Sequence, residues 1–331
     1  GNYNRILLSP VLAGEKQLAD IITHPPERYA AQGIQLIAGD AVQQIDRAAR
    51  TVTSASGLVA PYDVLLLATG SKPFVLPVPG RELPGVVAFR DIGDVDLMLA
   101  ASRMYSHAVV IGGGLLGLEA ANGLAKRGMS VSVVHLMDSL MERQLDKPAA
   151  ALLQKSLQSR GLRFLLQAAT AELLGHQRVE AVRFKDGREI AADLVVMAAG
   201  IVPNCSLAKA GGLDCERGIV VDDSLRTSDP HIFAVGECAQ HRKICYGLVA
   251  PLWEQARICA EHLAQDSTAA YSGSVISTKL KVTGIDLFSA GNFQGGEGCE
   301  ELLMRDPSRG IYKKLVLRNG CLDGAVLVGD T

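Results

Sequence analysis

One stretch limits the folds open to this chain more than any other. Ala108-Val109-Val110-Ile111 is a short apolar run that breaks into Gly112-Gly113-Gly114-Leu115-Leu116-Gly117. The pattern beyond it predicts a helix over Leu118–Arg127, stopped at Gly128, and a second apolar strand over Ser130–Leu136. Strand, glycine turn, helix and strand in under about 35 residues make a βαβ unit, with two parallel strands and a crossing helix. Each glycine has its own physical reason. Gly112 permits the tight turn, Gly114 lets the backbone approach a pyrophosphate, and Gly117 lets the helix lie close on the strand. The helix N-terminus adds N–H donors and a positive dipole. In this context the turn, with Gly112, Gly114, Leu115, Leu116 and Gly117, reads as a dinucleotide site.

Two polar residues complete that unit. An acidic residue ending the second strand would take the 2′-hydroxyl of an NAD ribose. This chain has His135 there, so one repulsion against a 2′-phosphate is absent, while Arg143 is the nearest downstream cation. The choice between NAD and NADP stays open, and His135 reads equally as an ordinary strand-end residue. Glu119, two residues past Gly117, suits either helix-dipole stabilisation or a place by the nicotinamide.

A second copy of the architecture is legible. Tyr62-Asp63-Val64-Leu65-Leu66-Leu67-Ala68-Thr69-Gly70 is echoed about 130 residues later by Ala192-Asp193-Leu194-Val195-Val196-Met197-Ala198-Ala199-Gly200. Runs without alternation, Asp63–Ala68 and Asp193–Ala198, are expected to be parallel strands buried on both faces. Ile34–Gly39 is read as a further strand, and Ala41–Asp46 with Thr51–Thr53 as a hairpin arm. Lys72–Gly85, with four prolines, is read as a linker. Gly218–Val221 and Ile232–Val235 read as strands, the latter closed by Gly236-Glu237, a carboxylate that suits ligand hydroxyls or a surface turn. Pro251–Gln265 reads as a helix with proline in its first turn. Thr278–Val282, Leu302–Arg305, Tyr312–Arg318 and Ala325–Val328 read as strands of a small α+β or β domain, with a turn at Asn319-Gly320.

Composition removes several classes. Lys+Arg 33 against Asp+Glu 35 gives a net charge of −2, which makes no electrostatic case for nucleic acid or an anionic membrane. No apolar run approaches the roughly 20 residues of a membrane span. The seven cysteines form no C-x-x-C pair, which argues against zinc ribbon, dithiol or clustered iron–sulfur sites, and no metal site is expected in this chain. Their odd number suits a reducing cytoplasm. Gly1-Asn2-Tyr3-Asn4-Arg5 is no signal peptide, and without an initiator Met the chain is expected to begin inside a longer protein.

Taken in order, these motifs carry a resemblance. Ala68-Thr69-Gly70, Gly112-x-Gly114-x-x-Gly117-x-Glu119, Ala198-Ala199-Gly200-Ile201-Val202-Pro203-Asn204 and Thr227-Ser228-x-x-x-Ile232-Phe233-Ala234-Val235-Gly236-Glu237 resemble the two-dinucleotide-binding flavoproteins of the pyridine nucleotide–disulfide oxidoreductase type. Within that family, Gly1–Leu12, Val133–Asp138 and Ser277–Gly291 resemble the flavin–nicotinamide module of the NAD(P)H-dependent nitrite reductases. The resemblance implies an α/β protein with two nested Rossmann-like domains and a small C-terminal α+β domain. Its implied parts are 1–82 and 204–268 for FAD, 83–203 for NAD(P), and 269–331 as an interface-type domain, for a homodimer or a docked partner.

The resemblance also implies roles. Arg5 lies by the flavin, Val42 meets the adenine through its backbone, and Thr69 and Gly70 lie by the FAD phosphates or adenosine. Gly200 belongs to the third motif, and Gly236 with Glu237 holds the ribityl chain or pyrophosphate. Leu252 and Trp253, at the start of the 251–265 helix, face the flavin pyrimidine edge. The chain departs from the family in three ways. The first glycine fingerprint, which binds the ADP half of FAD, is expected to precede Gly1. No cysteine precedes Cys205, so no thiol coupled to the flavin is expected. Pro10 stands where some relatives carry lysine. The implied function is an electron-entry module for nitrate assimilation. It would take hydride from NAD(P)H to FAD, with an iron–sulfur and siroheme acceptor in segments outside this chain. The alternatives are a free ferredoxin- or rubredoxin-reductase-like enzyme using a small redox carrier, and a non-catalytic nucleotide-binding fragment.

Overall fold

The computed structural model describes residues 2–265, 268–280, 282 and 284–331. Chain contacts divide it into two compact units. One holds Gly1–Pro25, Pro73–Gly200 and Ser277–Thr331, the other Pro26–Lys72 and Ile201–Ile276.

At the centre of the first unit is an all-parallel sheet of five strands. Their order is Arg163–Leu165, Ser130–Val134, His107–Ile111, Leu194–Met197, Val86–Ala88. Successive side chains of a strand point to opposite faces, and here both faces are covered. Ala108 and Val110 pack with Leu118 and Leu124 of the helix Leu115–Lys126. Val109 and Ile111 pack with Val182 and Phe184 of the antiparallel strands Thr170–Leu174, Ala181–Phe184 and Glu189–Ala191. That double burial is why the strands read as unbroken apolar runs.

The glycine-turn helix begins three residues earlier than the sequence reading, at Leu115 with Gly114 as N-cap. The first turn carries no strong propensity signal, so the turn geometry decides the boundary. Helix Leu8–Leu12 lies against it. A Cβ at Gly123 would stand 2.8 Å from Leu12 Cγ, so glycine there is what allows the two helices to approach. Arg127 donates to the Leu12 and Val11 carbonyls, at 2.7 and 3.0 Å, closing the short helix.

The C-terminal segment is an antiparallel sheet of five strands ordered Ser277–Lys279, Leu287–Gly291, Cys321–Val328, Ile311–Arg318, Cys299–Asp306. Its described residues contain no helix, and the helical layer comes from Lys147–Gln158, whose Leu153 and Leu157 share a core with Tyr312, Val326 and Val328. Asn319 and Gly320, both at positive φ, make the expected tight turn. Of the expected strand Thr278–Val282, Lys281 lies outside the described residues, as do Gly1 and Thr283 of the stretches that carried the resemblance, and Asp266 and Ser267.

In the second unit Leu65–Leu67 runs parallel to Ile232–Ala234, and Ile219–Val221 parallel to Ala239–His241. Val42–Asp46, Thr51–Ser54 and Val59–Pro61 form an antiparallel arm, and Val249–Gln265 is the long helix. Two expectations fail here. The Asp63–Ala68 run is not buried on both faces: Leu67 sits in the core, but Leu66 is 45% exposed and Val64 is exposed as well. Among the described residues its one strand neighbour is Ile232–Ala234, so the outward side chains meet no second layer. Ile34–Gly39 forms no strand, and Ile34, Leu36 and Ile37 are exposed. A strand exists by pairing, and no described strand pairs with this segment.

Candidate functional site

In the first unit the glycine turn is built as its residues require. Gly112 has φ +130, and a Cβ on it would stand 2.2 Å from the Ala198 carbonyl oxygen, just past the neighbouring strand Leu194–Met197. A Cβ on Gly117 would stand 2.0 Å from the Gly112 carbonyl oxygen. Both positions are closed by backbone, so only glycine fits. Gly114 is the opposite case, since no atom lies within 4 Å of where its Cβ would be. The turn is therefore tight underneath and open above, at the N-terminus of a twelve-residue helix. An open cradle of backbone N–H groups at the positive end of a helix fits a pyrophosphate. Leu115 is half-buried and Leu116 is exposed beside it. Gly200, at φ +121, has open space around its Cβ position, and its carbonyl accepts from Phe74 N–H at 2.9 Å.

His135 stands just past the end of strand Ser130–Val134. Its Nδ1 accepts the Gly113 N–H at 3.1 Å, and its Nε2 lies 3.0 Å from Glu142 Oε2. Met141 N–H donates to the Gly113 carbonyl at 3.0 Å, so the loop that delivers Glu142 is tied to the same glycine. Arg143 is exposed. Glu142 was missed by sequence reasoning, because nothing in the motif points seven residues past His135.

Glu119 is buried. The Ser9 hydroxyl donates to its Oε2 at 2.5 Å across 110 residues of chain. The contact exists because Leu12 seats on Gly123 and brings the helix Leu8–Leu12 close. The carboxylate is thus held inside the unit rather than displayed on the helix surface. Ser9 was also missed, since no local pattern links it to Glu119. Arg5 lies exposed in a single 3-10 turn, Arg5–Leu7, just before that helix.

The second unit gathers its own set. Gly236, at φ +92, ends strand Ile232–Ala234 with open space around its Cβ position, and its N–H donates to Gln255 Oε1 at 2.9 Å. Glu237 is 6% exposed, and Ser71 Oγ donates to its Oε2 at 2.9 Å. The Thr69 hydroxyl donates to the Asn204 carbonyl at 2.6 Å, and Asn204 N–H donates to the Gly70 carbonyl at 2.9 Å. These bonds tie the end of the 62–70 motif to the chain at Asn204, within the same unit. A buried carboxylate beside an open glycine at a strand end fits a ligand rich in hydroxyls, as the ribityl and ribose parts of FAD are. Val42 is exposed at the start of its strand. Leu252 is half-buried against the core of this unit, whereas Trp253 is 70% exposed.

The thiols of this unit are not primed for nucleophilic chemistry. Burial pushes Cys205, Cys215 and Cys245 above the ordinary thiol range, and Cys259 up to about 11. Among the described residues no group of His, Cys, Asp and Glu could hold a metal ion, and no helix is long and apolar enough to cross a membrane.

Comparison with known proteins places this geometry in context. The family model described as pyridine nucleotide-disulphide oxidoreductase matches residues 2–262. That of the rubredoxin NAD+ reductase C-terminal domain matches residues 277–331. The chain is 53% identical over 330 residues to the NAD(P)H nitrite reductase of Bacillus subtilis (strain 168), covering 100% of this chain and 41% of that protein. It is 45% identical over 330 residues to the assimilatory nitrate reductase electron transfer subunit of the same organism, covering 100% of this chain and 43% of that protein. The chain thus spans less than half the length of these curated relatives. Among solved structures, the ferredoxin reductase for the CYP199A2 system from Rhodopseudomonas palustris superposes with a TM-score of 0.90 at 29% identity. That match covers 99% of this chain and 82% of the other.

Proposed function

The chain belongs to the pyridine nucleotide-disulphide oxidoreductase family, and from that premise we propose that it is a flavoprotein electron-entry module. It takes hydride from NAD(P)H and sends electrons on to an iron–sulfur and siroheme centre, for nitrite reduction in nitrate assimilation. The acceptor lies in segments outside this chain. The observation that carries this reading is the glycine turn, closed by backbone under Gly112 and Gly117 and open above Gly114. The segments 83–203 for the nicotinamide nucleotide, 1–82 and 204–268 for FAD, and 269–331 as an interface are part of the same proposal.

FAD, when bound, takes up hydride and delivers electrons one at a time. The protein's residues bind and orient. Backbone N–H groups at Gly114, Leu115 and Leu116 cradle the nicotinamide nucleotide's pyrophosphate. Glu119, buried and held by Ser9, braces the head of that helix on the nicotinamide side. Glu237, held by Ser71, accepts from ligand hydroxyls, and Thr69, Gly70, Gly236 and Val42 flank the flavin nucleotide. Helix Val249–Gln265 starts beside Leu252 and Trp253 and directs its positive end at developing negative charge. Arg5 sits by the flavin and Gly200 by the nicotinamide nucleotide. Free cysteines throughout suit a reducing compartment, the cytoplasm.

The test is a visible spectrum of the protein loaded with FAD, taken before and after anaerobic addition of NADH and then NADPH. Bleaching of the flavin bands is expected. Retained flavin that neither nucleotide bleaches would overturn the proposal. A second reading, a reductase acting on a free small redox carrier, is supported by the match of 277–331 to the rubredoxin NAD+ reductase C-terminal domain. Turnover with added ferredoxin or rubredoxin, and none with a fused siroheme domain, would select it.

A further inference from the structure

The residue that follows the second strand of the glycine-turn unit is a histidine, yet a carboxylate stands beside it. His135 is fixed on every side. Its own N–H donates to the Leu165 carbonyl at 2.9 Å, and its carbonyl accepts from Ala168 at 3.0 Å. Its ring lies against the turn so closely that a Cβ on Gly113 would stand 2.7 Å from its Cγ. Because Nδ1 accepts the Gly113 N–H, the ring proton in this arrangement is on Nε2, which donates to Glu142. The imidazole therefore brings no positive charge, and Glu142 keeps its negative one. Met141, buried and at φ +51, binds the Gly113 carbonyl and sets Glu142 next to the turn. The Glu142 side chain stays 30% exposed, so it remains open to a ligand.

We infer that Glu142, oriented by His135, is the carboxylate that reads the adenosine ribose, and that it makes this module selective for NADH over NADPH. The inference rests on the glycine turn being the nicotinamide nucleotide's site. In this fingerprint the end of the second strand lies where the ribose 2′-position falls. A 2′-hydroxyl there donates to the carboxylate. A 2′-phosphate there meets a fixed negative charge in partly desolvated surroundings, with a neutral imidazole behind it. The usual acid at the strand end is replaced by a relay in which histidine occupies the position and glutamate supplies the charge. Arg143 is the one neighbour in the loop sequence that would argue for NADPH.

The experiment is isothermal titration of the FAD-loaded protein with NAD+ and NADP+, alongside flavin bleaching by NADH and NADPH. Wild type is expected to bind NAD+ at least about tenfold tighter than NADP+, the scale of one charge-assisted hydrogen bond lost and a like charge gained. Glu142→Gln should shrink that ratio by about tenfold, and Glu142→Arg should invert it. His135→Ala should shrink the ratio in the same direction, and the double variant Glu142→Gln with His135→Ala should go no further than Glu142→Gln alone. A purely structural role for His135 would weaken both nucleotides together and leave the ratio where it was. A wild-type ratio that Glu142→Gln does not move, or a preference for NADP+ abolished by Arg143→Ala, overturns the inference and leaves the nucleotide site standing. Failure of wild type to bind either nucleotide overturns the site and the inference with it.

Discussion

Alanine at Gly114 and alanine at Gly117 are expected to fail in opposite ways, although the two glycines share one six-residue turn. A methyl at 117 would stand 2.0 Å from the Gly112 carbonyl oxygen, so helix and turn must separate by about 1.5 Å to reach ordinary contact. Overpacking of this kind costs about 1–3 kcal/mol and sometimes more, partly offset by alanine's helix propensity, about 1 kcal/mol. An overlap this deep with backbone belongs at the upper end of that range, so the net expectation for Gly117→Ala is a loss of about 2 kcal/mol, or about 3 °C in Tm for a chain of this size. At Gly114 φ is −84 and no atom lies within 4 Å of the new methyl. An alanine N-cap costs about 0.5–1 kcal/mol against glycine, and the stiffer unfolded chain returns about 0.4–1 kcal/mol. Gly114→Ala should therefore melt within about 2 °C of wild type. Its methyl nevertheless occupies the space through which the pyrophosphate reaches the backbone. Losing two charge-assisted contacts at about 1.5 kcal/mol each weakens NAD+ more than about 100-fold. Differential scanning calorimetry and nucleotide titration on both variants make the comparison. Wild-type NAD+ affinity in a normally folded Gly114→Ala would refute the cradle, and a wild-type melt for Gly117→Ala would refute close packing as the role of that glycine.

Further expectations concern stability and reactivity. Tyr312 Oη donates to Asp146 Oδ2 at 2.5 Å, and the same carboxylate caps helix Lys147–Gln158 by accepting from Ala149 N–H at 3.2 Å. Urea unfolding should show a cost of about 1.5 kcal/mol for Tyr312→Phe and about 2–3 kcal/mol for Asp146→Ala, and equal costs would deny the double role. Hydrogen bonds from Arg242 and then His241 hold Asp223 down from 3.8 to about 2. With the folded value depressed, its contribution is complete above about pH 4 and disappears as pH falls through about 2. The stability gap between wild type and Asp223→Asn, small because the group is exposed, should hold from neutral pH to about 4 and close below it. A gap that instead widened on acidification would sink that assignment. Native alkylation at pH 8, followed by mass spectrometry, should modify exposed Cys321 and spare buried Cys238 and Cys259 until the protein unfolds. Early labelling of Cys259 would contradict its burial.

Residues 108–136 carried most of what could be read in advance, because everything a βαβ turn needs is local. An apolar strand, a glycine where φ must be positive, a glycine where the helix must touch the strand and a helix behind them all fall within thirty residues. The echo between 62–70 and 192–200 likewise revealed the second copy. Tertiary structure decided matters that depend on partners rather than on pattern. The two echoing runs look alike, yet Leu194–Met197 is buried on both faces while Leu66 is exposed, because one has a strand on each side and a layer on each face and the other lacks them. Ile34–Gly39 has the apolar residues of a strand and no neighbour to make it one. At the site, Ser9 finds Glu119 across 110 residues only because Leu12 can rest on a glycine. Glu142 reaches the His135 ring because the residue before it, Met141, is pinned to the glycine turn. A short motif can state where a nucleotide's phosphates go, since backbone geometry is written residue by residue. Which side chains stand together at the end of the second strand is settled by a loop folding back in space, and no spacing along the chain records that.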